Sequence, residues 1–350
     1  MTSTHRLRAR HAAAALVVAG LTTTLAACGS GGTAGSSPAA SGAAATGKVA
    51  AVVKGLDNPF FQTMESGIKD AAATDGTDVS VQAAAAITDT SGQADKLAGL
   101  AGQDYKCFII NPISGTNLIQ GIAQLSAKNV PIVNIDSPID AAAADAAKAE
   151  AATYIGTDNV DAGHQAGKEM GTLLPGGGKV ALIGGISGDV TSGARLDGFT
   201  QGIPSSITIV QTVAADWDRQ TALTKATDVM TAQPDLKGFF VANDDMGLGV
   251  AQAIANKGKT GQIKVISVDG NKDAFEAVKA GGIDAVVAQF PYVIGQMGLE
   301  ACQAAMAGKP LPANVKAPVQ VVTKANVDKA LSAAPKPGEA YDDPFAGLTK

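Results

Sequence analysis

From Lys48 onward, short runs of β-branched and aliphatic residues alternate with longer segments whose apolar residues recur at helical spacing. This alternation predicts βαβ units and mainly parallel sheets. The predicted strands are 49–53, 79–81, 108–110, 131–135, 179–183, 239–242, 263–268, 284–289 and 319–323. The clearest predicted helices are 59–73, 93–101, 118–128 and 294–307.

The second half of this pattern repeats the first. The matched positions are Lys48 and Lys179 (131 residues apart), Asn111 and Asn243 (132), and Asp136 and Asp269 (133). Near-constant spacing predicts an α/β fold of two similar doubly wound, Rossmann-like parallel-sheet lobes joined by a multi-strand hinge. Ligands of open α/β sheets bind beyond the carboxyl ends of the strands, so we expect a ligand cleft between the lobes.

The length of 350 residues also favours two domains, since single cores seldom grow beyond ~250–300 residues. The predicted organisation is a signal peptide (1–27), a lipidated cysteine with a flexible linker (28–47), a first lobe (48–157 plus 290–320), a second lobe (158–289 plus 321–332) and a tail (333–350).

The amino terminus has the pattern of a secretory signal. Arg6, Arg8 and Arg10 precede a short apolar stretch that ends in Leu-Ala-Ala-Cys28. That ending resembles a bacterial lipobox, which implies cleavage before Cys28 and lipidation of its thiol; the alternative is an ordinary signal peptide with a coincidental cysteine. A Gly/Ser/Ala-rich linker follows. We therefore expect a lipoprotein on the outer face of the bacterial cell membrane.

The net charge and the cysteine content argue against several kinds of partner and site. Removing residues 1–27 leaves 24 basic (27 minus three arginines) and 32 acidic residues, a net charge of −8, which disfavours nucleic acid as a partner. The three cysteines do not have the spacing of a zinc site or a disulfide scaffold. Cys107 and Cys302 are interpreted as separate core residues without a disulfide bond. We expect a monomer with no metal or cofactor.

Eight motifs occur in an order that resembles a known family. They are KGLDNPFF (54–61), FIINP (108–112), VNID (133–136), RLDGF (195–199), ADWDR (215–219), ANDDM (242–246), VDG (268–270) and AQ (288–289). Together they resemble the ribose-type sugar-binding proteins of ABC importers, which have the type I periplasmic binding fold. The resemblance covers roughly residues 48–323 and implies a monosaccharide ligand and an ABC permease partner.

The resemblance also implies which residues bind the sugar. A pyranose presents apolar C–H faces and a rim of hydroxyl groups, so it needs flat rings above and below and charged or amide groups around its edge. The implied ligand-binding residues are Lys54, Asn58, Phe60, Phe61, Asp136, Arg195, Trp217, Asn243, Asp269 and Gln289. Three departures from the ribose binders, Lys54, Ser137 and Val268, favour a hexose or another pentose over ribose itself.

Purely structural roles are the alternatives for these residues. The Asn58-Pro59-Phe60-Phe61 segment also fits a helix N-cap followed by a proline at the first helical position. Asp136 and Asp269 could each cap a turn after a strand. Asp244 and Asp245 are expected to cap the helix beginning near Met246 rather than to form a catalytic or metal-binding pair.

Other function classes have weaker support. The glycines near Gly184 do not form a GxGxxG dinucleotide motif, and no Ser/His/Asp or Cys/His catalytic set can be assembled, so we expect no enzyme. The signal sequence replaces the DNA-binding helices that a repressor of this fold would need. The alternative that remains is a sugar sensor whose closed form contacts a signalling partner.

Overall fold

The computed structural model describes residues 47–348, and these form two six-stranded sheets flanked by helices. The predicted signal peptide, the lipidation site at Cys28 and the linker through residue 46 lie outside the described residues. No helix among residues 47–348 has the length and apolar content needed to cross a bilayer.

The first lobe is built on a parallel sheet with the strand order β11-β5-β4-β3-β1-β2. Its strands are β1 (Val49–Val53), β2 (Val79–Ala83), β3 (Cys107–Ile110), β4 (Ile132–Ile135), β5 (Thr153–Gly156) and β11 (Asn314–Lys316). Its helices are α1 (Pro59–Asp75), α2 (Thr90–Ala101), α3 (Ile119–Ser126), α4 (Ala141–Ala147) and α10 (Pro291–Met306). Helix α10 belongs here because it packs on α1 and on β3, β4 and β5.

The second lobe has the strand order β12-β10-β9-β8-β6-β7. Its strands are β6 (Gly178–Gly184), β7 (Ile207–Ala214), β8 (Leu236–Val241), β9 (Lys264–Asp269), β10 (Ala285–Ala288) and β12 (Gln320–Thr323). Its helices are α5 (Asn159–Leu173), α6 (Val190–Gly202), α7 (Arg219–Ala232), α8 (Asp244–Asn256), α9 (Lys272–Ala280) and α11 (Val327–Ala333).

The two sheets follow one plan, which confirms the predicted fold class. Position by position, β1 corresponds to β6, β3 to β8 and β4 to β9, as the constant sequence offsets predict. One pairing departs from an all-parallel sheet, since β12 runs antiparallel to β10. The chain passes between the sheets three times, after β5, after β10 and between β11 and β12, and these passages form the hinge.

Burial accounts for the continuous apolar runs of three central strands. Every residue of β1, β3 and β4 is buried because helices cover both faces of the sheet, and such strands appear as continuous apolar runs. Strand β7 lies at the edge of its sheet, and most of its side chains are only half-buried. The pattern did not predict β7, although it did predict β2 and β12, which are edge strands of similar burial.

The structure corrects the interpretation of the two core cysteines, which form a disulfide bond. Cys107 begins β3 and Cys302 lies on α10, with their Cα atoms 5.7 Å apart. Both are fully buried, as expected, but they are neighbours because α10 returns to the first lobe after the chain has built the second. Because the two cysteines are 195 positions apart, local sequence patterns give no indication that they are in contact.

Candidate ligand-binding site

One cavity lies where the carboxyl ends of the two sheets face each other. The space between its walls, counted together with the open solvent at its mouth, is about 580 Å³. All ten predicted ligand-binding residues line it. The structure therefore brings together side chains that lie up to 235 residues apart (Lys54 to Gln289).

Two asparagines, one from each lobe, combine helix capping with a place in the cavity wall. The Oδ1 atom of Asn58 accepts from the Phe60 amide at the start of α1 (2.9 Å), and that of Asn243 accepts from the Met246 amide at the start of α8 (3.0 Å). Because each cap uses the side-chain oxygen, each amide nitrogen is left to donate a hydrogen bond. The capping and ligand-binding interpretations are thus compatible for both residues.

Aromatic rings from both lobes line the cavity. Phe60 and Phe61 are buried at the start of α1, with ring centroids 5.1 Å apart and ring planes at 81°. Trp217 follows β7 in the second lobe, and its backbone has a left-handed φ of 62°. The Arg195 guanidinium carbon lies 5.9 Å from the indole centroid, so a cation faces this ring.

Gly185 makes room for the indole of Trp217. A Cβ atom at this position would lie 2.1 Å from the Trp217 ring, closer than any side chain can approach. Sequence reasoning considered the glycines around Gly184 only as a weak dinucleotide loop and missed this role. The sequence signal that could have identified this contact is a glycine directly after one strand, together with a single tryptophan in the loop after the next strand.

Asp269 and Arg195 form a buried charge pair at the second-lobe end of the cavity. Arg195 Nη1 donates to Asp269 Oδ1 (3.3 Å) and to the Ala242 carbonyl (2.6 Å). Gln289 Nε2 also donates to Asp269 Oδ1 (2.6 Å), so two donors occupy one oxygen. Burial raises the pKa of Asp269 to about 6, although the Arg195 charge and the Gln289 hydrogen bond act in the opposite direction.

Two residues at the hinge orient these side chains, and sequence reasoning missed both. Thr157 donates to Gln289 Oε1 (2.7 Å), which fixes the Gln289 amide with its nitrogen toward Asp269. Asn159 Oδ1 accepts from Arg195 Nε (2.8 Å). The local sequence gives no signal for these two hydrogen bonds, because they form only once the chain has crossed between the lobes.

Asp136 occupies the corresponding position in the first lobe. Its backbone has a left-handed φ of 60°, and its carbonyl accepts from the Tyr154 hydroxyl (2.6 Å). Burial, followed by the nearby Asp136 charge, raises the pKa of Tyr154, so its hydroxyl stays protonated and able to donate. Tyr154 therefore holds the backbone that aims Asp136 at the cavity.

Lys54 and Ser137 lie beside Asp136 and contact each other. Lys54 Nζ donates to Ser137 Oγ (2.7 Å) and lies 3.9 Å from Asp136 Oδ2 and 5.3 Å from the Phe61 centroid. Ser137 Oγ in turn donates to Asp136 Oδ2 (3.2 Å). Two of the three positions interpreted as departures from ribose binders thus form one hydrogen-bonded unit with Asp136.

Asp244 and Asp245 do not cap α8 with their side chains, since Asn243 makes that cap, so the capping interpretation was wrong for both. Asp244 is fully buried and accepts from Ser267 Oγ (2.5 Å) and from two backbone amides that follow β9 (both 2.8 Å). Burial raises its pKa well above the ordinary range, and the nearby Asp269 charge adds to this. Asp245 forms an ion pair with Arg219 (2.7 Å). Asp244 therefore holds the loop that presents Asp269.

Six further residues line the cavity without having been predicted as ligand-binding. They are Ile87, Ile113, Ser137, Ile186, Asp189 and Thr191. The isoleucines lie in connections that follow strands, where an apolar residue carries no distinctive sequence signal. Asp189 caps α6 by accepting from the Ser192 amide (2.8 Å). Among residues 47–348, no group of three or more acidic, histidine or cysteine residues is arranged to hold a metal ion.

Comparisons with known proteins agree with this architecture. The chain is 38% identical over 278 residues to the D-allose-binding periplasmic protein of Escherichia coli K12, covering 78% of this chain and 89% of that protein. It is 32% identical over 272 residues to the ribose import binding protein of Bacillus subtilis strain 168, covering 78% and 86%.

A solved structure has the same fold. An ABC transporter periplasmic solute-binding protein of Actinobacillus succinogenes with bound D-allose superposes with a TM-score of 0.77 and 26% sequence identity, covering 81% of this chain and 99% of that one. The model of the periplasmic binding protein domain matches residues 49–310. This chain belongs to the periplasmic binding protein domain family.

Proposed function

We propose that this chain is an extracytoplasmic receptor that captures a monosaccharide between its lobes and delivers it to the permease of an ABC importer. The observation that carries the proposal is the single cavity in which aromatic rings and carboxylates from both lobes converge. The named relatives and the D-allose-bound structure are sugar-binding proteins of the same kind.

The cavity chemistry suits a sugar. The rings of Phe60, Phe61 and Trp217 offer apolar faces to C–H groups, and the carboxylates of Asp136 and Asp269 accept from hydroxyl groups. Amide and guanidinium groups supply donors. A ligand that contacts both walls binds the closed arrangement more tightly than the open one, so it shifts the equilibrium toward closure.

The ligand that we favour is a hexose or a pentose other than ribose. Lys54 and Ser137 place an ammonium group and a hydroxyl where the ribose binders are expected to have a small hydroxyl residue and an arginine. The positive charge then lies on the other side of Asp136, so the first lobe can form hydrogen bonds with a different set of sugar hydroxyl groups. The greater identity to the allose-binding relative than to the ribose-binding one supports this choice.

The proposed mature protein is a monomeric lipoprotein that begins at Cys28 and is anchored to the outer face of the cell membrane. Leu25-Ala-Ala-Cys28 supports processing there, and residues 28–47 would serve as a tether. The buried disulfide bond is consistent with an oxidising, extracytoplasmic compartment. The first lobe would comprise 48–157 plus 290–320, and the second 158–289 plus 321–332.

Titration with a panel of pentoses, hexoses and polyols tests the proposal. Trp217 is the only tryptophan and lies in the cavity wall, so sugar binding should change the intrinsic fluorescence. Thermal stability should rise with the same sugars. If no compound changes either signal, the sugar-binding proposal is wrong. The sensor alternative predicts the same binding but co-purification with a signalling protein instead of an ABC permease.

Sugar affinity should depend on pH through Asp269. A hydroxyl that donates to this carboxylate favours its ionised form, so the part of the affinity that depends on Asp269 should be lost as pH falls through about 6. At one pH unit below the pKa, the affinity should be lower by roughly tenfold. Isothermal titration between pH 5 and 8 measures the effect; a constant affinity over this range would contradict the role of Asp269.

A further inference from the structure

The chain continues beyond the second lobe and returns to the first. Helix α11 packs on α9 and β12, and Lys279 forms an ion pair with Asp328 (2.8 Å), so α11 belongs to the second lobe. Residues 334–348, here called the strap, follow α11. Their Lys336 ammonium lies 5.4 Å from the ring centroid of Tyr292, which is on α10 of the first lobe.

The far end of the strap is buried rather than loose. Phe345 has no exposed surface, and Tyr341 and Leu348 pack against the same apolar core cluster. Tyr292 also donates to Asp70 on α1 (3.0 Å), which ties the surface beneath the strap to a second helix of the first lobe. Burying this phenylalanine removes a large apolar surface from water, so this end is anchored.

The segment between α11 and the contact of Lys336 with α10 is short. Only Ala334 and Pro335 separate α11 from Lys336, whose amide donates back to the Ala333 carbonyl (3.1 Å). Two residues span at most ~7 Å when fully extended. Lys329 on α11 also contacts Glu339 of the strap (3.4 Å). Movement of α11 relative to α10 must therefore stretch or undock this segment.

Two carboxyl groups meet where the strap covers α10. Glu300 Oε2 is buried and has no hydrogen-bond partner among the described residues, while Oε1 accepts from Gln296 (3.0 Å). Asp343 of the strap faces Glu300, and its Oδ1 accepts from the Phe345 and Ala346 amides (3.0 and 3.3 Å). Neither of these amides contacts the other carboxylate oxygen of Asp343, Oδ2.

The surroundings of this pair favour a bound proton. Burial is the largest cause that raises the pKa of Glu300, to about 7. The hydrogen bond from Gln296 lowers this pKa, whereas the charges of Asp343 and then Asp75 raise it. Asp75, at the end of α1, is itself contacted by Gln303 (3.3 Å), and Tyr341 of the strap also lies near Glu300. The groups that face Glu300 from α1, α10 and the strap are therefore acidic or neutral.

We propose that the strap stabilises the arrangement in which the two lobes face each other across the cavity, and that one proton shared by the Glu300 and Asp343 carboxyl groups keeps it docked. Because the folded state raises the affinity of Glu300 for a proton, docking is strongest at low pH and weakens as pH rises through about 7. The consequence for ligand affinity rests on the proposed sugar-binding function; the docking itself does not.

Hydrogen exchange and small-angle scattering of the ligand-free protein test the docking. Strap amides in the wild type should be at least threefold less protected at pH 8 than at pH 6, after correction for intrinsic exchange rates. Glu300→Gln should remove this dependence, because its amide donates to Asp343 without a titratable proton. Asp342→Asn, at the exposed neighbouring position, should behave as the wild type. Equal protection of the wild-type strap at both pH values would overturn the shared proton.

Phe345→Ala tests whether the strap controls the lobes. It should release the strap amides, increase the radius of gyration of the ligand-free protein and weaken sugar binding by roughly three- to tenfold, because fewer molecules are in the binding-competent arrangement. An unchanged radius and affinity despite a released strap would overturn the proposal. If this variant does not fold, Asp343→Lys should undock the strap instead. Exchange and scattering need no sugar, so they remain decisive even if the sugar panel gives no response.

Discussion

Replacing Asp136 by alanine should weaken binding of the cognate monosaccharide by about 2–4 kcal/mol, or roughly 30- to 1,000-fold in Kd. Asp136 is only 9% exposed and lines the cavity, so hydroxyl groups that donate to its carboxylate would be left buried and without an acceptor. Isothermal titration calorimetry of wild type and variant with the sugar selected by the panel measures the difference.

Two companion variants make this result specific. Asp136 has a left-handed φ of 60°, which alanine tolerates poorly but asparagine accepts, so Asp136→Asn should fold well and still lose most of the affinity. Asp145→Ala removes an exposed aspartate on α4 of the same lobe and should leave Kd unchanged. Wild-type affinity in both Asp136 variants would show that the first-lobe carboxylate does not contact the sugar.

Removing the Cys107–Cys302 disulfide should lower the free energy of unfolding by roughly 2–5 kcal/mol. The bond joins residues 195 positions apart and closes a loop that contains strands β6 to β10 of the second lobe, so its loss frees a large unfolded ensemble. Urea denaturation followed by Trp217 fluorescence, with and without a phosphine reductant, measures the change for the wild type.

The double variant Cys107→Ala/Cys302→Ala separates the crosslink from side effects of the reductant. It should unfold at the lower urea concentration of the reduced wild type and should not respond to reductant. Both cysteines are fully buried, so the wild-type bond should be reduced mainly from the unfolded state. Coincident midpoints for oxidised wild type, reduced wild type and double variant would show that the crosslink contributes no stability.

Local sequence signals were sufficient for the fold class, and the resemblance to the sugar-binding family supplied ten of the residues that line the cavity. Continuous apolar runs identified β1, β3 and β4, whose residues are all buried, and the near-constant offsets between half-chains anticipated two sheets with matching strand orders. Polar residues at the strand tips, such as Asp136 and Asp269, then had to lie along the facing edges of the sheets. That these residues contact a sugar stays a prediction.

The partners of those residues were not predictable in the same way. Thr157, Asn159 and Tyr154 each form one hydrogen bond that orients a cavity residue, and none belongs to a recognisable motif. Their effect depends on where the hinge and the neighbouring strands place them. Asp244 had the sequence position of a helix-capping residue, yet its burial against the loop after β9 decided a different role.

By itself, the sequence determined the alternation of strands and helices and the internal repeat, because these depend on the pattern of apolar residues along the chain. The motifs that resemble the sugar-binding family implied the ring, amide and carboxylate side chains available for a ligand. Only the tertiary structure decided that Cys107 and Cys302 are bonded, that Gly185 makes room for Trp217 and that residues 334–348 return to the first lobe. Each of these contacts joins segments that the local sequence pattern does not connect. The crossings between the sheets bring Cys302 back to Cys107, whereas Gly185 meets Trp217 because β6 and β7 are neighbouring strands.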